Sequence, residues 1–307
     1  MAIRPTTRLW RRAAVWWAAS CLLATAACSG GGTDPAGGAS GSSAPASTAP
    51  ATSTPAAGTY LALGDSVPFG FRGGEPAEAY GNPADFVGYP ELVGKQLGMP
   101  VVNASCPGET TASFADATAQ SNGCENRPGA AGGYRTAYPL HVDYGAPDQS
   151  QLDFAVRTLK DTPDVGLVTL QVGANDAFIC QATTADRCTA EVVQVAATVQ
   201  TNVTTILSTL RDQGGYTGRI VVVSYYALDY ADGNGAAGTQ LLDTALAGAA
   251  KANNATVAGG YDAFQPLAQQ HGGSSFAAGL VLPDDVHPTA QGQQLLADAV
   301  VAATHAG

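Results

Sequence analysis

Tyr60-Leu61-Ala62-Leu63-Gly64-Asp65-Ser66 is a run of apolar residues that stops at a turn-forming triplet. The run is short and has no helical period, so it reads as a buried strand ended by Gly-Asp-Ser. A strand that stops there presents the Ser66 hydroxyl at the carboxyl edge of a sheet. Open α/β sheets place their ligand sites on that edge. Alone the triplet carries little weight, because the same residues favour ordinary turns. Its meaning depends on whether the chain repeats this strand-then-loop design and supplies a base, an acid and hydrogen-bond donors.

The design does repeat. After a Gly-rich loop to Gly88, Pro90 opens a predicted helix with Leu92, Val93 and Leu97 on one face and Gly98 at its end. Pro100 to Ala104 is the second strand and runs into Ser105-Cys106-Pro107-Gly108-Glu109-Thr110-Thr111. A long loop rich in Gly and Tyr follows, so residues 106–150 are a candidate lid or substrate wall. Ser150 and Asp153 form a capping pair for a helix carrying Leu152, Ala155, Val156 and Leu159. Val165 to Val172 is almost wholly apolar, as a strand covered on both faces should be, and ends at Gly173-Ala174-Asn175-Asp176. A long helix is predicted from Ala190 to Arg211, a fourth strand from Arg219 to Tyr225, a helix around Leu241 to Ala249 and a weak strand at Thr256–Ala258. Pro283-Asp284-Asp285-Val286-His287-Pro288-Thr289 precedes a terminal helix with Leu295, Leu296, Ala299 and Val300. This alternation predicts an α/β domain over residues 59–307 with a parallel sheet covered on both faces.

The two parts before that domain differ from it. Arg4, Arg8, Arg11 and Arg12 precede an apolar run from Ala13 to Ala27, which reads as a signal peptide over residues 1–27. Cys28 after Ala26-Ala27 resembles a lipobox cysteine, although Thr25 stands where that motif favours leucine; Cys28 is the lipidation candidate. Residues 28–58 then form a Gly/Ser/Ala/Pro/Thr linker without enough apolar surface to fold. The expectation is an exported protein, a cell-surface lipoprotein held at the membrane through Cys28 or a secreted one. Without the leader, ten basic residues face 25 acidic ones, a net charge of −15 that argues against nucleic-acid binding. Cys106, Cys124, Cys180 and Cys188 are an even set in an exported chain and read as two disulfides. Three pairings are possible; Cys106 with Cys124 and Cys180 with Cys188 is preferred, because each pair brackets a polar loop. Zinc is the competing reading, and the spacings do not suit it. Asp232-Gly233-Asn234-Gly235 looks superficially like a calcium loop but lacks the later ligands, so it reads as a turn. No phosphate loop is present, and neither a metal nor a cofactor is expected.

Ser66, Gly108 and Asn175 thus follow three successive strands, and His287 stands just before the last helix. A serine nucleophile needs a general base, for which histidine is suited near neutral pH. Asp284 lies three residues before His287; on one helical turn it would reach the imidazole and fix its tautomer, with Asp285 as the rival. Backbone N–H groups and the Asn175 amide are suitable donors for the oxyanion of a tetrahedral intermediate.

These four blocks resemble the SGNH (GDSL) hydrolase family. Gly64-Asp65-Ser66, the stretch from Asn103 to Gly108, Gly173-x-Asn175-Asp176 and Asp284-x-x-His287 match its four blocks in order. The resemblance implies a flavodoxin-like three-layer α/β/α sandwich, in agreement with the periodicity, and an exported serine esterase or lipase. It assigns Ser66, Asp284 and His287 as catalytic residues, and Ser66, Gly108 and Asn175 as the oxyanion hole. Secreted actinobacterial esterases and lipases with disulfides are similar in layout. The implied partner is a small-molecule or lipid ester, with the protein acting as a monomer. Carbohydrate acetylesterase, lysophospholipase and thioesterase activities, and a non-catalytic binding lipoprotein, are the alternatives on the same fold. The segment with Pro68 and Phe69 varies among relatives, so the shape of the acyl pocket does not carry over.

Overall fold

β1 (Thr59–Gly64) is buried along nearly its whole length and is an inner strand of a five-stranded sheet. The computed structural model describes residues 58–126 and 132–305; the expected leader, Cys28 and almost all of the linker lie outside these. β2 (Val101–Asn103), β3 (Val165–Gln171), β4 (Arg219–Val223) and β5 (Thr256–Ala258) complete the sheet in the order β2-β1-β3-β4-β5. Every pairing is parallel. This is the flavodoxin-like order, and it reverses direction between β1 and β3. A crevice opens at the carboxyl ends of the strands at such a switch point. Ser66 follows β1 and Asn175 follows β3, so the sequence's first and third motifs flank it.

The helices lie in two layers. α10 (Ala290–His305) packs against both α2 (Tyr89–Leu97) and α9 (Gly260–Gln270), and α5 (Gln151–Asp161), α7 (Val192–Asp212) and α8 (Gly233–Ala252) form the other layer. α2 starts as its sequence suggests: Pro90 needs no N–H acceptor in the first turn, and the Glu91 carboxylate accepts from Gly88 N–H at 2.8 Å. α5 carries the expected capping box. Ser150 Oγ accepts from Asp153 N–H at 3.1 Å, and the Asp153 carboxylate accepts from Ser150 N–H at 3.0 Å. α7 buries Ala196, Val199, Val203, Ile206, Leu207 and Leu210, a stripe with the helical period. Tyr60, Leu61, Leu63, Leu167 and Leu170 are fully enclosed between the layers. Each such leucine contributes on the order of 2 kcal/mol of apolar burial.

Three helices depart from the expected pattern. α1 (Ser66–Phe69) and α6 (Ala174–Thr183) occupy stretches that read as loops, and α9 follows the weak fifth strand. α6 buries only Asn175, so it has no apolar stripe to reveal it. α9 contains Pro266, normally a helix breaker. Asp232 caps α8 by accepting from Asn234 N–H at 3.1 Å, so the calcium-like tetrapeptide is a helix start. The cysteines are joined as Cys106–Cys124 and Cys180–Cys188, with Cα separations of 5.6 and 5.3 Å. Their sulfurs are therefore bonded to each other rather than free as thiolate ligands.

Candidate active site

Gly64 sets the geometry of the turn that carries Ser66. Its φ is +143°, and a Cβ there would lie 2.0 Å from the Gln171 carbonyl oxygen of β3, so only glycine fits. Asp65 then caps α1, its carboxylate accepting from Val67 N–H at 3.0 Å. Tyr225 O–H donates to the other Asp65 oxygen at 2.5 Å. Burial pushes the Asp65 carboxyl up to about 6, against the lowering effect of these two bonds. Ser66 is thereby held as the first residue of a short helix, its hydroxyl directed to His287.

His287 Nε2 is 2.8 Å from Ser66 Oγ, and His287 Nδ1 is 2.6 Å from Asp285 Oδ1. The carboxylate that meets His287 is Asp285, where the sequence pointed to Asp284. Asp284 is exposed, with φ at +56°. The expectation assumed a helical turn in which residues three apart share a face. Residues 282–288 instead form a turn: Asp285 N–H donates to Leu282 O at 3.2 Å, and Leu282 N–H to His287 O at 2.9 Å. The left-handed residue at 284 redirects the chain, so its neighbour faces the imidazole. Asp285 Oδ1 also accepts from Val286 N–H at 2.7 Å, and its Oδ2 accepts from Gly73 N–H at 2.9 Å. Burial pushes this carboxyl up, but the hydrogen bond and charge of His287 and the two N–H donors outweigh it, leaving it below the ordinary carboxylate range. Tyr226 O–H pins the same loop through Val286 O at 2.7 Å. Phe71 packs edge-on against His287 with ring centroids 4.9 Å apart, and an aromatic cluster continues from it through Tyr80 and Phe86.

Gly108 has φ at +86°, and a Cβ would lie 2.7 Å from Gly123, so this turn also requires glycine. Among the described residues, neither Gly108 N–H nor Ser66 N–H donates to a protein acceptor. Asn175 is buried in the first turn of α6. Its amide oxygen accepts from Asn122 Nδ2 at 2.9 Å, and its Nδ2 donates to Glu109 O at 3.0 Å. Among the described residues the other Nδ2 hydrogen has no acceptor, and the Asn175 amide is tied to the residue that follows Gly108. Asp176 strengthens the junction by accepting from Thr111 N–H at 2.9 Å and Thr111 O–H at 2.6 Å. Burial pushes the Asp176 carboxyl up while these bonds hold it down, with a net rise. The structure thus brings Ser66, His287 and Asp285 together, joins Gly108 to Asn175 through Glu109, and leaves Asp284 outside.

Asn122, Tyr225 and Gln151 are supporting residues that sequence reasoning did not single out. Each acts on a partner at least 53 positions away, so no local pattern marks it. Within the candidate wall of residues 106–150, α3 (Thr111–Ala115) and α4 (Tyr134–Ala137) form. Arg135 anchors the end of this segment by donating to Gln149 O at 2.9 Å and Ala146 O at 3.2 Å.

A family model described as the GDSL-like Lipase/Acylhydrolase family matches residues 62–295. The chain belongs to that family. Among solved structures, it is similar to Axe2, an acetylxylan esterase from Geobacillus stearothermophilus, at 13% identity and a TM-score of 0.52, over 80% of this chain and 93% of the other. A Parabacteroides merdae protein described as a GDSL-like lipase matches at 14% identity and a TM-score of 0.50, over 80% and 95%. At such identities these likenesses speak for the fold. No curated protein sequence matches the chain. As a member of the GDSL-like family, the chain is a carboxylic ester hydrolase.

Proposed function

We propose that this GDSL-family hydrolase cleaves esters through an acyl-enzyme on Ser66, with His287 as general base and Asp285 as the orienting acid. The observation that carries the reading is the unbroken chain from Ser66 Oγ to His287 Nε2 at 2.8 Å and from Nδ1 to Asp285 at 2.6 Å. His287 takes the hydroxyl proton as Oγ attacks the ester carbonyl carbon. The resulting oxyanion is met by the N–H groups of Ser66 and Gly108 and the free Nδ2 hydrogen of Asn175. On collapse, His287 returns the proton to the departing alcohol. Water then attacks the acyl-enzyme by the same sequence, releasing the acid and restoring Ser66.

A panel of short, medium and long acyl esters tests this reading, together with acetylated xylo-oligosaccharides, a lysophospholipid and a thioester. Turnover on at least one, abolished in Ser66→Ala and His287→Ala proteins, is expected. Full activity in either variant defeats the mechanism, and saturable binding without turnover favours a binding lipoprotein. The same panel separates lipase from carbohydrate acetylesterase, lysophospholipase and thioesterase. The expected site of action is extracytoplasmic, with Cys28 as membrane tether and the hydrolase domain monomeric. Two disulfides suit an oxidising compartment. Release of a Cys28→Ala protein from the membrane fraction, and a monomer-sized sedimentation species, are the expected results.

A further inference from the structure

Glu109 is a carboxyl group with only 2% of its surface exposed, and the hydrolytic steps above make no use of its side chain. It stands directly after Gly108, and its neighbours connect the first three motifs of the site. Gln151 grips the Gly64 peptide from both sides: Gly64 N–H donates to Gln151 Oε1 at 2.6 Å, and Gln151 Nε2 donates to Gly64 O at 3.0 Å. The same Nε2 donates to Glu109 Oε2 at 3.0 Å. Ser113 Oγ lies against Glu109 Oε1, and the main-chain oxygen of Glu109 holds Asn175.

We propose that the Glu109 side chain is a positioning residue for the oxyanion hole, bracing the Gly108–Glu109 peptide and the attached Asn175 amide against the Gly64–Ser66 turn through Gln151. This inference rests on Ser66 as nucleophile and on Gly108 and Asn175 as oxyanion donors. Removing the brace lets two donors drift from the point where charge develops, which lowers kcat more than it changes substrate binding.

The brace works in the neutral form of the acid. Glu109 Oε2 is 3.5 Å from Cys124 Sγ, which is disulfide-bonded and has no hydrogen to give. That sulfur therefore gives a carboxylate no hydrogen bond, and Gln151 Nε2 is the donor that Oε2 has among the described residues. Among the described residues, the charged and titratable groups facing Glu109 are Glu125, Arg135 and Tyr144. Arg135 is engaged by Glu125, and among the described residues no cation bonds to the Glu109 carboxyl. Burial pushes the Glu109 carboxyl up to about 8; the bonds from Ser113 and Gln151 and the charge of Arg135 act against that, and Glu125 reinforces it. An anion formed at this place would also oppose the negative charge developing at the oxyanion.

The test compares kcat and KM across pH 6 to 10 for wild type, Glu109→Gln and Glu109→Ala on a soluble acetate ester, with Ser66→Ala as control. Wild-type kcat should fall as pH rises past about 8. Glu109→Gln, uncharged and of the same size, should keep kcat at pH 7 within about threefold and lose that alkaline fall. Glu109→Ala should lose at least about tenfold in kcat at pH 7 with KM little changed. An alkaline fall that is the same in the Gln variant, or undiminished kcat in the Ala variant, overturns the inference. If Glu109→Ala does not fold, the Gln profile decides; a Gln variant that cannot fold also counts against an uncharged side chain serving here. An active Ser66→Ala control would instead defeat the underlying mechanism, so the two failures are distinguishable.

Discussion

Replacing Asp285 by asparagine separates the two candidate acids more sharply than any other change. Three donors converge on the Asp285 carboxylate: His287 Nδ1 at 2.6 Å and Val286 N–H at 2.7 Å on Oδ1, and Gly73 N–H at 2.9 Å on Oδ2. A carboxylate offers two acceptor oxygens, but an amide offers one. If the amide oxygen takes the Oδ1 position, the imidazole keeps its tautomer and the amide NH2 meets Gly73 N–H. If the NH2 takes it, Nδ1 must become the acceptor, and Nε2 then carries a proton and cannot accept one from Ser66. Both arrangements also lose the negative charge that stabilises the imidazolium. Loss of the orienting charge in a serine triad costs up to about 10⁴ in kcat, so Asp285→Asn should fall between about 10² and 10⁴. At about 1.36 kcal/mol per tenfold, that is roughly 3 to 5 kcal/mol of barrier. KM should change by less than about threefold, since Asp285 faces His287 rather than substrate. Asp284→Asn removes an exposed carboxylate in a left-handed position that asparagine tolerates, and should stay within about twofold of wild type. Steady-state hydrolysis of a butyrate ester reads both, and thermal unfolding confirms that each variant is folded. Near-normal kcat in Asp285→Asn, or a hundredfold loss in Asp284→Asn, would refute the assignment. The pH dependence has a definite sign too. The folded carboxyl lies below its ordinary range, so its contribution to stability is complete above that range and is lost as acid protonates the folded form.

Opening Cys106–Cys124 by a double Cys→Ala change frees a loop of 18 positions and should cost about 3 kcal/mol of stability, read by chemical denaturation. Because Gly108 lies within that loop, kcat should fall as well, whereas opening Cys180–Cys188 should cost stability with little change in kcat; equal kcat losses would contradict this. Asp243, whose carboxylate accepts from Tyr225 N–H at 2.9 Å, is pushed up to about 7 by burial. A folded value above the unfolded one means stability falls as pH rises between the two, so Asp243→Asn should gain about 1 kcal/mol or more over wild type at pH 8 and nothing at pH 4. Tyr225→Phe removes the 2.5 Å bond that favours ionised Asp65. It should cost about 1 to 3 kcal/mol at pH 8, where Asp65 is charged, and less at pH 5, because Asp65 titrates at about 6; an equal loss at both pH values would show that the bond does not depend on that charge.

The strands were legible because a parallel strand covered on both faces is a continuous apolar run, and Val165 to Gln171 is nearly that. Amphipathic helices such as α7 were legible for the matching reason: one buried stripe fixes the period. α6 was missed because it buries a single residue, Asn175, and its place is set by what that amide must reach. Asp284 misses His287 for an equally physical reason. Reading Asp284 from a three-residue interval presupposes a helical turn, and φ at +56° on Asp284 itself breaks that turn. Asp284 and Asp285 are identical in type, so only the backbone path decides which carboxylate faces His287.

The supporting residues share one property that kept them out of a sequence reading. Gln151 meets Gly64 across 87 positions, Tyr225 meets Asp65 across 160, and Asn122 meets Asn175 across 53. A motif records which residue stands at a strand end; it does not record what holds that end in place. The strand order explains why such long spans are needed. The strand order reverses between β1 and β3, so the turn bearing Ser66 and the helix bearing Asn175 leave adjacent parallel strands. β2 lies on the far side of β1 and must send its Gly108 loop back toward β3. That loop is bound to Gly64 O through Cys106 N–H at 3.0 Å, and to α6 through Glu109 and Thr111. The proposed oxyanion site, assembled from three strand ends, needs such cross-braces, because its donors come from different elements.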